Sequence, residues 1–249
     1  MNEKSVFSVE ADKLTKTFGS FTAVKAVSFQ VKRGEIFGFI GPNGAGKSTT
    51  IRILCGILGP TSGKATVEGF DVDTEADKIK EIIGYMSQKF SLYNDLTVQE
   101  NIEFFAGIHN VPSKEMGNRE AEILEMSGLK GREKTITSLL SGGWRQRLAL
   151  GCSIIHKPKV LFLDEPTAGV DPLSRRDFWK LIRKLAEEGT TVFVTTHYMD
   201  EVENCNRLAL VYAGDIIAMG TPAELKAAGG TDSLEKLFVN SIRNYTKDQ

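Results

Sequence analysis

Residues 41–49 read Gly41-Pro42-Asn43-Gly44-Ala45-Gly46-Lys47-Ser48-Thr49, which fits the pattern G-x-x-x-x-G-K-S-T. An apolar run at 36–40 precedes this pattern and predicts a short buried strand. Residues 50–54 follow it with apolar side chains at helical spacing. Strand, glycine-rich loop and helix in that order predict a phosphate-binding P-loop.

The residue types in this loop suit the binding of a polyphosphate. Glycines let successive backbone N–H groups turn toward one anion, and the start of the following helix adds unpaired N–H groups and a positive dipole end. We expect Lys47 to reach the β- and γ-phosphates and the Ser48 hydroxyl to ligate Mg²⁺. The alternative is a glycine-rich turn that contains an unrelated lysine.

The composition of the chain narrows the possible classes of protein. The 249 residues are 41% hydrophobic, enough for a sizeable core, and the net charge of −1 does not favour nucleic acid as a partner. Three scattered cysteines indicate a reducing compartment rather than a disulfide framework. Because no apolar run approaches about 20 residues and no apolar segment follows the first residues, we expect a cytoplasmic protein without a membrane span or signal peptide.

The pattern of hydrophobic residues divides the chain into regions of different character. Residues 6–35 form β-rich runs, and helical spacing dominates from Thr97, whose partner Glu100 predicts a capping box, to about residue 156. Strands and helices then alternate, with strands at 159–164, 190–195 and 207–212 and helices at 172–188 and 199–205.

The alternation of strands and helices predicts an α/β fold with a mostly parallel sheet. We therefore expect a P-loop NTPase core with an N-terminal antiparallel β subdomain and an α-helical subdomain inserted at about 89–157. This unit would span residues 1–220. A C-terminal helical extension would follow at 221–249, with Thr221-Pro222 at its start and an apolar stripe on its last helix that docks on the body or on a partner.

Two further motifs could complete a phosphate site. Four apolar residues lead into Asp164-Glu165, so that two carboxylates end a strand buried on both faces. Beside a P-loop, Asp164 is the expected Mg²⁺ ligand and Glu165 could polarise an attacking water, although a pair of solvated acids is the alternative. In the run Ser141-Gly142-Gly143, we expect Ser141 to cap the helix that follows, and the two glycines offer backbone N–H groups to an anion, although Ser-Gly-Gly is more often a plain turn.

The order and spacing of these three motifs resemble the ATP-binding cassette (ABC) ATPases over roughly residues 6–220. The resemblance implies four further site residues. Gln88 is similar to the Q-loop glutamine, which touches Mg²⁺ and water, and His197 to the switch histidine at the γ-phosphate. Asp171 is similar to the D-loop residue of the dimer interface, and Phe18 to the aromatic that stacks on adenine.

Each of these four residues also has a structural interpretation. Gln88 could be an ordinary polar loop residue and His197 a polar surface or core residue. Asp171 could be a helix N-cap before Pro172, and Phe18 a surface aromatic that packs on its own sheet, with Phe21 nearby. The family signature usually reads Leu-Ser-Gly-Gly-Gln, and Trp144 stands here in place of the glutamine. Because the phosphate ligands would be Ser141 and the glycine amides, we expect the signature to function.

The resemblance also implies how such a chain works. Two cassettes pack head to tail, and ATP lies between the P-loop of one and the signature of the other. This chain would pair with a copy of itself or with a similar subunit, and a separate integral-membrane permease would hold it on the cytoplasmic face. Residues 90–93 and the helical insert lie where the family couples to the permease, although burial within the domain is equally compatible with their apolar side chains.

The segments 95–101 and 169–172 resemble the drug or ABC-2-type exporters. Two other functions remain open for a chain of this pattern. One is a soluble ABC ATPase, such as a cofactor-assembly factor. The other is a nucleotide-gated binding module that does not hydrolyse ATP.

Overall fold

The computed structural model describes residues 6–88 and 92–247. Strands within these residues form two sheets. In chain order the strands are β1 (Phe7–Phe18), β2 (Phe21–Lys32), β3 (Ile36–Ile40), β4 (Ser62–Val67), β5 (Phe70–Asp71), β6 (Ile83–Met86), β7 (Val160–Asp164), β8 (Thr191–Thr196), β9 (Arg207–Tyr212) and β10 (Asp215–Gly220). The smaller sheet is antiparallel with the order β2-β1-β4-β5, as expected for the N-terminal region.

The described residues contain eight α-helices. They are α1 (Lys47–Leu54), α2 (Ala76–Ile82), α3 (Val98–Ile108), α4 (Ser113–Ser127), α5 (Gly142–Ile154), α6 (Pro172–Glu187), α7 (Pro222–Ala228) and α8 (Leu234–Lys247). Two 3₁₀ turns, Thr137–Leu139 and Met199–Asn204, complete the regular structure of the described residues.

The larger sheet has the strand order β10-β9-β3-β8-β7-β6. Its strand pairs are parallel except for β9 with β10, which confirms the prediction of a mostly parallel sheet. Every residue of β3, β7 and β8 is buried, because layers cover both faces of the sheet.

The parallel register brings the ends of three strands to one edge of the sheet. Ile40 at the end of β3 lies opposite Thr196 of β8, and Asp164 at the end of β7 lies opposite Thr195. The loops that follow these strands therefore meet at the carboxyl edge, where parallel α/β sheets bind their ligands.

An aromatic cluster joins the two sheets. Phe29 of β2 packs against Phe37 and Phe39 of β3 and against Phe193 of β8, and Phe162 of β7 also contacts Phe193. Phe193 also contacts Phe37 and Phe39, and the ring centroids of all these pairs lie 5.4–5.9 Å apart. Each such pair contributes about 0.5–1.5 kcal/mol beyond the burial of its surface, so this cluster fixes the N-terminal sheet over the strand that leads to the P-loop.

The helices α3, α4 and α5 pack around a hydrophobic cluster of their own, with Val98, Ile102 and Leu148 fully buried. The predicted capping box begins this region, since the Thr97 hydroxyl accepts the Glu100 N–H and the Glu100 carboxylate accepts the Thr97 N–H. The assigned start of the insert at 89 falls on residues 89–91, which lie outside the described residues.

Two features of the C-terminal third differ from the sequence-based expectation. The segment predicted as a helix at 199–205 is a 3₁₀ turn of six residues, which ends before Cys205. The sequence pattern does not predict the strand β10. It follows a tight turn in which Ala213 and Gly214 both have positive φ, at 48° and 86°, the conformation of a two-residue hairpin loop.

The last two helices close one side of the larger sheet. Thr221 and Glu224 form a capping box at the start of α7, with Pro222 in the first turn. Leu234 and Leu237 of α8 are buried against a cluster that includes Ile40, so the apolar stripe docks on the body of the chain. Within residues 6–88 and 92–247, no helix is both long and apolar enough to cross a membrane.

Candidate functional site

The P-loop backbone lies so close to neighbouring strands that two of its positions accept only glycine. A Cβ on Gly41 would lie 2.1 Å from the carbonyl oxygen of Val211, and a Cβ on Gly46 would lie 2.3 Å from that of Ala23. Gly46 also has φ of 98°, which L-residues rarely adopt. Helix α1 begins directly after Gly46 without a side-chain cap, so its first N–H groups face the loop.

Lys47 projects into the loop and is only 4% exposed. Its Nζ donates hydrogen bonds to the carbonyl oxygens of Gly41 (2.8 Å) and Pro42 (3.1 Å). The same ammonium lies 3.0 Å from Oε1 of Glu165, which forms a buried ion pair between the P-loop and the end of β7. The lysine is thus held where a bound polyphosphate would meet both its charge and the N–H groups of α1.

Oxygen atoms of three residues meet beside the start of α1. The Ser48 hydroxyl donates to Oδ1 of Asp164 (3.1 Å), and the Thr195 hydroxyl donates to the same oxygen (2.7 Å). A hydroxyl and a carboxylate are hard oxygen ligands, and Mg²⁺ in nucleotide sites is held by one or two such groups together with phosphate and water. Ser48 and Asp164 therefore fit a Mg²⁺ ion that accompanies a nucleotide.

Glu165 lies at the centre of the site. Oε2 of its carboxylate lies 3.2 Å from Nε2 of Gln88 and 3.1 Å from Nδ1 of His197, and Oε1 pairs with Lys47. Its backbone N–H donates to both the carbonyl oxygen and the hydroxyl of Thr195. Three residues that the sequence placed in separate motifs thus converge on one carboxylate, which is 6% exposed.

The three residues of the signature lie at the first turn of α5. Ser141 is at the N-cap position, but its side chain makes no capping hydrogen bond and is exposed, which corrects the expectation that it caps the helix. A Cβ on Gly142 would meet nothing within 4 Å, whereas one on Gly143 would lie 2.5 Å from the Ser174 hydroxyl of α6. The first glycine faces open space and the second packs against α6.

Trp144, which replaces the usual glutamine, packs into the helical region. It lies against the hydrophobic cluster of α3–α5, and the guanidinium of Arg132 lies 4.2 Å from its ring centroid. The indole is thereby held by contacts within its own subdomain.

Asp171 and Phe18 lie outside the group of side chains around Glu165. The Asp171 carboxylate accepts the N–H groups of Leu173 and Ser174 and caps α6, and hydrogen bonds from Ser174 hold its pKa below the usual value. Phe18 is 48% exposed and lies across the hairpin from Phe21, which is 60% exposed. Both rings are accessible to a flat ligand, and the Lys16 ammonium lies 5.4 Å from the Phe18 centroid.

Part of the segment expected to contact a permease is described. Phe90 and Ser91 lie outside the described residues. Tyr93 is 48% exposed and packs edge-on against Phe104 of α3 at 4.5 Å between centroids. These two rings form an exposed aromatic surface on the helical region.

Sequence reasoning did not identify two residues that organise the site. Thr195 fixes Asp164 and the backbone of Glu165, and the fully buried amide of Gln146 donates to the carbonyl oxygen of Pro166 in the loop after Glu165. Threonine is common in strands and glutamine in helices, so only the position of Thr195 beside His197 could have drawn attention to it.

Four features define a nucleoside-triphosphate site of the P-loop class. They are a glycine loop before a helix, a buried lysine, a hydroxyl–carboxylate pair, and a carboxylate among three polar groups. Comparison with known families gives the more specific assignment. The family model described as "ABC transporter" matches residues 24–168, and the chain belongs to this family.

Curated relatives include drug-resistance proteins. The "probable multidrug ABC transporter ATP-binding protein YbhF" of Escherichia coli (strain K12) is 49% identical over 96% of this chain, which spans 42% of that relative's length. The "linearmycin resistance ATP-binding protein LnrL" of Bacillus subtilis (strain 168) is 41% identical over a region that covers 94% of this chain and 76% of the length of LnrL.

Solved structures show the same fold. An ATP-binding subunit of an ABC transporter matches with a TM-score of 0.85 and 26% identity, over 94% of this chain and 99% of its own. A dimeric ATP-binding cassette in a post-hydrolysis state with ADP and phosphate matches with a TM-score of 0.77 and 28% identity, over 86% of this chain and 98% of its own.

Proposed function

We propose that this chain binds ATP with Mg²⁺ and hydrolyses it as the ATP-binding subunit of an ABC exporter of the multidrug or ABC-2 type. The observation that carries the proposal is the convergence of Lys47, Gln88 and His197 on the Glu165 carboxylate. A binding module needs only the phosphate loop. A carboxylate held beside an amide and an imidazole at the γ-phosphate position is what hydrolysis requires.

Each side chain has a distinct task in this reaction. Lys47 and the N–H groups at the start of α1 bind the β- and γ-phosphates, and Ser48 and Asp164 would hold a Mg²⁺ ion, which would neutralise phosphate charge. Glu165 orients and polarises the attacking water, with Gln88 beside it, while His197 contacts the γ-phosphate. Phe18 stacks on the adenine, with Phe21 as the competing ring on the same hairpin.

The signature residues support a second subunit as partner. Ser141 is exposed and uncapped, and the Cβ direction of Gly142 is open, so both can contact a nucleotide held by another cassette. Asp171 would lie at the same interface. Two cassettes, identical or different, would then enclose ATP, and hydrolysis would remove the charge that joins them.

A separate integral-membrane permease would be the other partner, and it would place this chain on the cytoplasmic side of the membrane. The names of the multidrug and drug-resistance relatives support this over a soluble cofactor-assembly ATPase. The exposed Tyr93 and Phe104 offer apolar surface for such a contact.

Phosphate release by the purified full chain tests the catalytic part of the proposal. We expect Mg²⁺-dependent hydrolysis of ATP in the parent chain and its loss in Lys47→Ala, because the buried ammonium is the main charge on the loop. Lys130→Ala is the matched control, since Lys130 is a lysine with an 80% exposed side chain whose removal should change nothing. Hydrolysis at the parent rate in Lys47→Ala would contradict the proposal.

Affinity purification of the tagged chain from detergent-solubilised membranes tests the transport part. We expect an integral-membrane protein to co-purify, and less of it with Tyr93→Ala/Phe104→Ala. An active ATPase that co-purifies with no membrane protein would favour the soluble alternative.

A further inference from the structure

Glu201 is a buried carboxylate that the proposed mechanism does not use. It lies in the 3₁₀ turn after β8 and is 1% exposed. The Thr167 hydroxyl donates to its Oε1 at 2.5 Å, and the Thr196 hydroxyl donates to its Oε2 at 2.7 Å. Burying a charge costs several kcal/mol unless hydrogen bonds and a counter-charge offset the loss of water. The buried Glu201 carboxylate therefore depends on the hydroxyls and the cation around it.

The two hydroxyls belong to the two segments that carry the reacting side chains. Thr167 lies two residues after Glu165, in the loop that continues to Asp171. Thr196 directly precedes His197, and its oxygen also accepts the backbone N–H of Tyr198 at 3.0 Å. The Thr196 hydroxyl thus accepts from the turn around His197 and donates to Glu201, and so links that turn to the carboxylate.

Arg175 of α6 adds a second connection between the same segments. Its Nε lies 3.5 Å from Oε1 of Glu201, and its guanidinium lies 4.1 Å from the ring centroid of Tyr198. The Tyr198 ring in turn lies 4.1 Å from the ring of His197. The counter-charge of Glu201 is therefore also connected to His197, through the ring of Tyr198.

We propose that Glu201 is a positioning residue that couples the His197 turn to the loop after Glu165, so that the histidine and the D-loop move as one unit. The 3.1 Å contact between Nδ1 of His197 and Oε2 of Glu165 depends on the relative placement of these two segments. Glu201 holds both of them and touches neither reacting group. This inference rests on the proposed hydrolysis of ATP, in which His197 and Glu165 act together.

Glu201→Gln is the test variant, because the amide keeps the volume of the side chain but removes the charge and one of the two acceptors. We expect kcat for ATP hydrolysis to fall about tenfold with KM within about twofold, since the loss is one of geometry at the reacting groups and the phosphate-binding loop is unchanged. Glu203→Gln is the control on the same turn: Glu203 is exposed and pairs with Lys226, and its substitution should leave both constants unchanged.

A double-mutant cycle separates positioning from general destabilisation. Single-turnover rates are measured with excess protein for the parent, Glu201→Gln, His197→Ala and the double variant. If Glu201 acts through His197, its substitution adds little in the His197→Ala background. Independent, additive effects would overturn the inference.

A second variant covers the case in which Glu201→Gln does not fold. Thr196→Val removes a single hydroxyl with little change in shape, and we expect the same fall in kcat at constant KM. A parent rate in folded Glu201→Gln or Thr196→Val would overturn the inference, while the absence of hydrolysis in the parent itself would instead contradict the proposed function.

Discussion

Glu165 has a backbone conformation that is unusual for its residue type. Its φ is 48°, in the left-handed region, which costs a non-glycine residue roughly 1–2 kcal/mol. This conformation turns the chain sharply after β7 and directs the carboxylate back to Lys47, Gln88 and His197. Strain of this kind persists where the surrounding contacts over-determine the position, as they do here.

Glu165→Gln should separate nucleotide binding from hydrolysis. The amide keeps the size of the side chain but cannot act as a base and no longer pairs with Lys47. We expect ATP to bind, to induce dimers, and to turn over at least about 100-fold more slowly. Size-exclusion chromatography with ATP and a phosphate-release assay measure the two effects. Glu188→Gln, at an exposed glutamate, is the control, and near-normal hydrolysis in Glu165→Gln would remove Glu165 from the catalytic role.

The sequence predicted the residues whose role follows from local spacing. Lys47 and Ser48 are fixed by the glycine pattern, and Asp164 and Glu165 by their place after a buried strand. Thr195 and Glu201 could not be predicted in this way, because they act on residues 31 and 34 positions away. Their role depends on the strand order, which the local pattern does not contain.

At the scale of elements, the start of α5 presents one glycine to solvent and one to a neighbouring helix. The Cβ direction of Gly142 is open, while Gly143 approaches Ser174 of α6. Sequence identified this helix start but not the difference between the two glycines, which depends on how α5 and α6 cross. The two positions should therefore respond differently to the same substitution.

Gly143→Ala should destabilise the isolated chain, because its Cβ would overlap Ser174 and such overpacking costs roughly 1–3 kcal/mol. Gly142→Ala should leave the thermal unfolding midpoint of the nucleotide-free chain unchanged and weaken only ATP-induced dimerisation. Differential scanning fluorimetry and size-exclusion chromatography measure the two properties. Equal unfolding midpoints for both variants would show that α6 yields to the added methyl group.

Trp144→Gln should affect stability more than catalysis. The indole packs on the helical cluster and under Arg132, and its loss should lower the free energy of unfolding by roughly 1–3 kcal/mol. We expect ATP turnover within several-fold of the parent, since the proposed phosphate ligands, Ser141 and the glycine amides, remain. Denaturant unfolding and phosphate release test this, with Trp144→Phe as the variant that retains a ring. Loss of turnover in the folded Gln variant would place Trp144 in the nucleotide site.

Boundaries of the C-terminal elements were the least predictable from sequence. The segment 215–220 alternates weakly and ends in glycine, so β10 is identified only by its pairing with β9. The turn at Met199–Asn204 has helical spacing, yet it forms a 3₁₀ turn in which Glu201 is buried against the hydroxyls of Thr167 and Thr196, contacts that the local pattern does not contain.

At the scale of the whole molecule, two histidines join the helical region to the larger sheet. His109 follows α3 and His156 follows α5, and their rings stack at 3.7 Å between centroids. The His156 Nε2 lies 2.9 Å from the carbonyl oxygen of Ile83 at the start of β6. Burial lowers the pKa of both histidines, and burial together with the neighbouring His109 brings that of His156 to about 4.

This pair should make the folded chain sensitive to mild acid. Above the ordinary histidine pKa of 6.5, the His156 imidazole is neutral in both the folded and the unfolded chain, and the stability of the fold is not reduced. As the pH falls from 6.5 toward 4, the imidazole takes up a proton in the unfolded chain but not in the folded chain, so the free energy of unfolding falls. We expect the unfolding midpoint to drop between pH 7.5 and 5.5, and to drop less in His156→Gln. Parallel curves for the two chains would show that His156 does not contribute to this dependence.

The strand order also has a consequence for how the protein is made. The P-loop strand β3 pairs with β8 and β9, whose residues follow it by more than 150 positions in the chain. At about 5–20 residues per second, a ribosome needs roughly 7–30 s to extend the chain from Thr49, the last residue of the P-loop pattern, to Thr196, the end of β8. During that interval the nascent chain contains the complete phosphate loop but neither strand that flanks it. Phe37 and Phe39 then depend on the N-terminal sheet, through Phe29, for their cover.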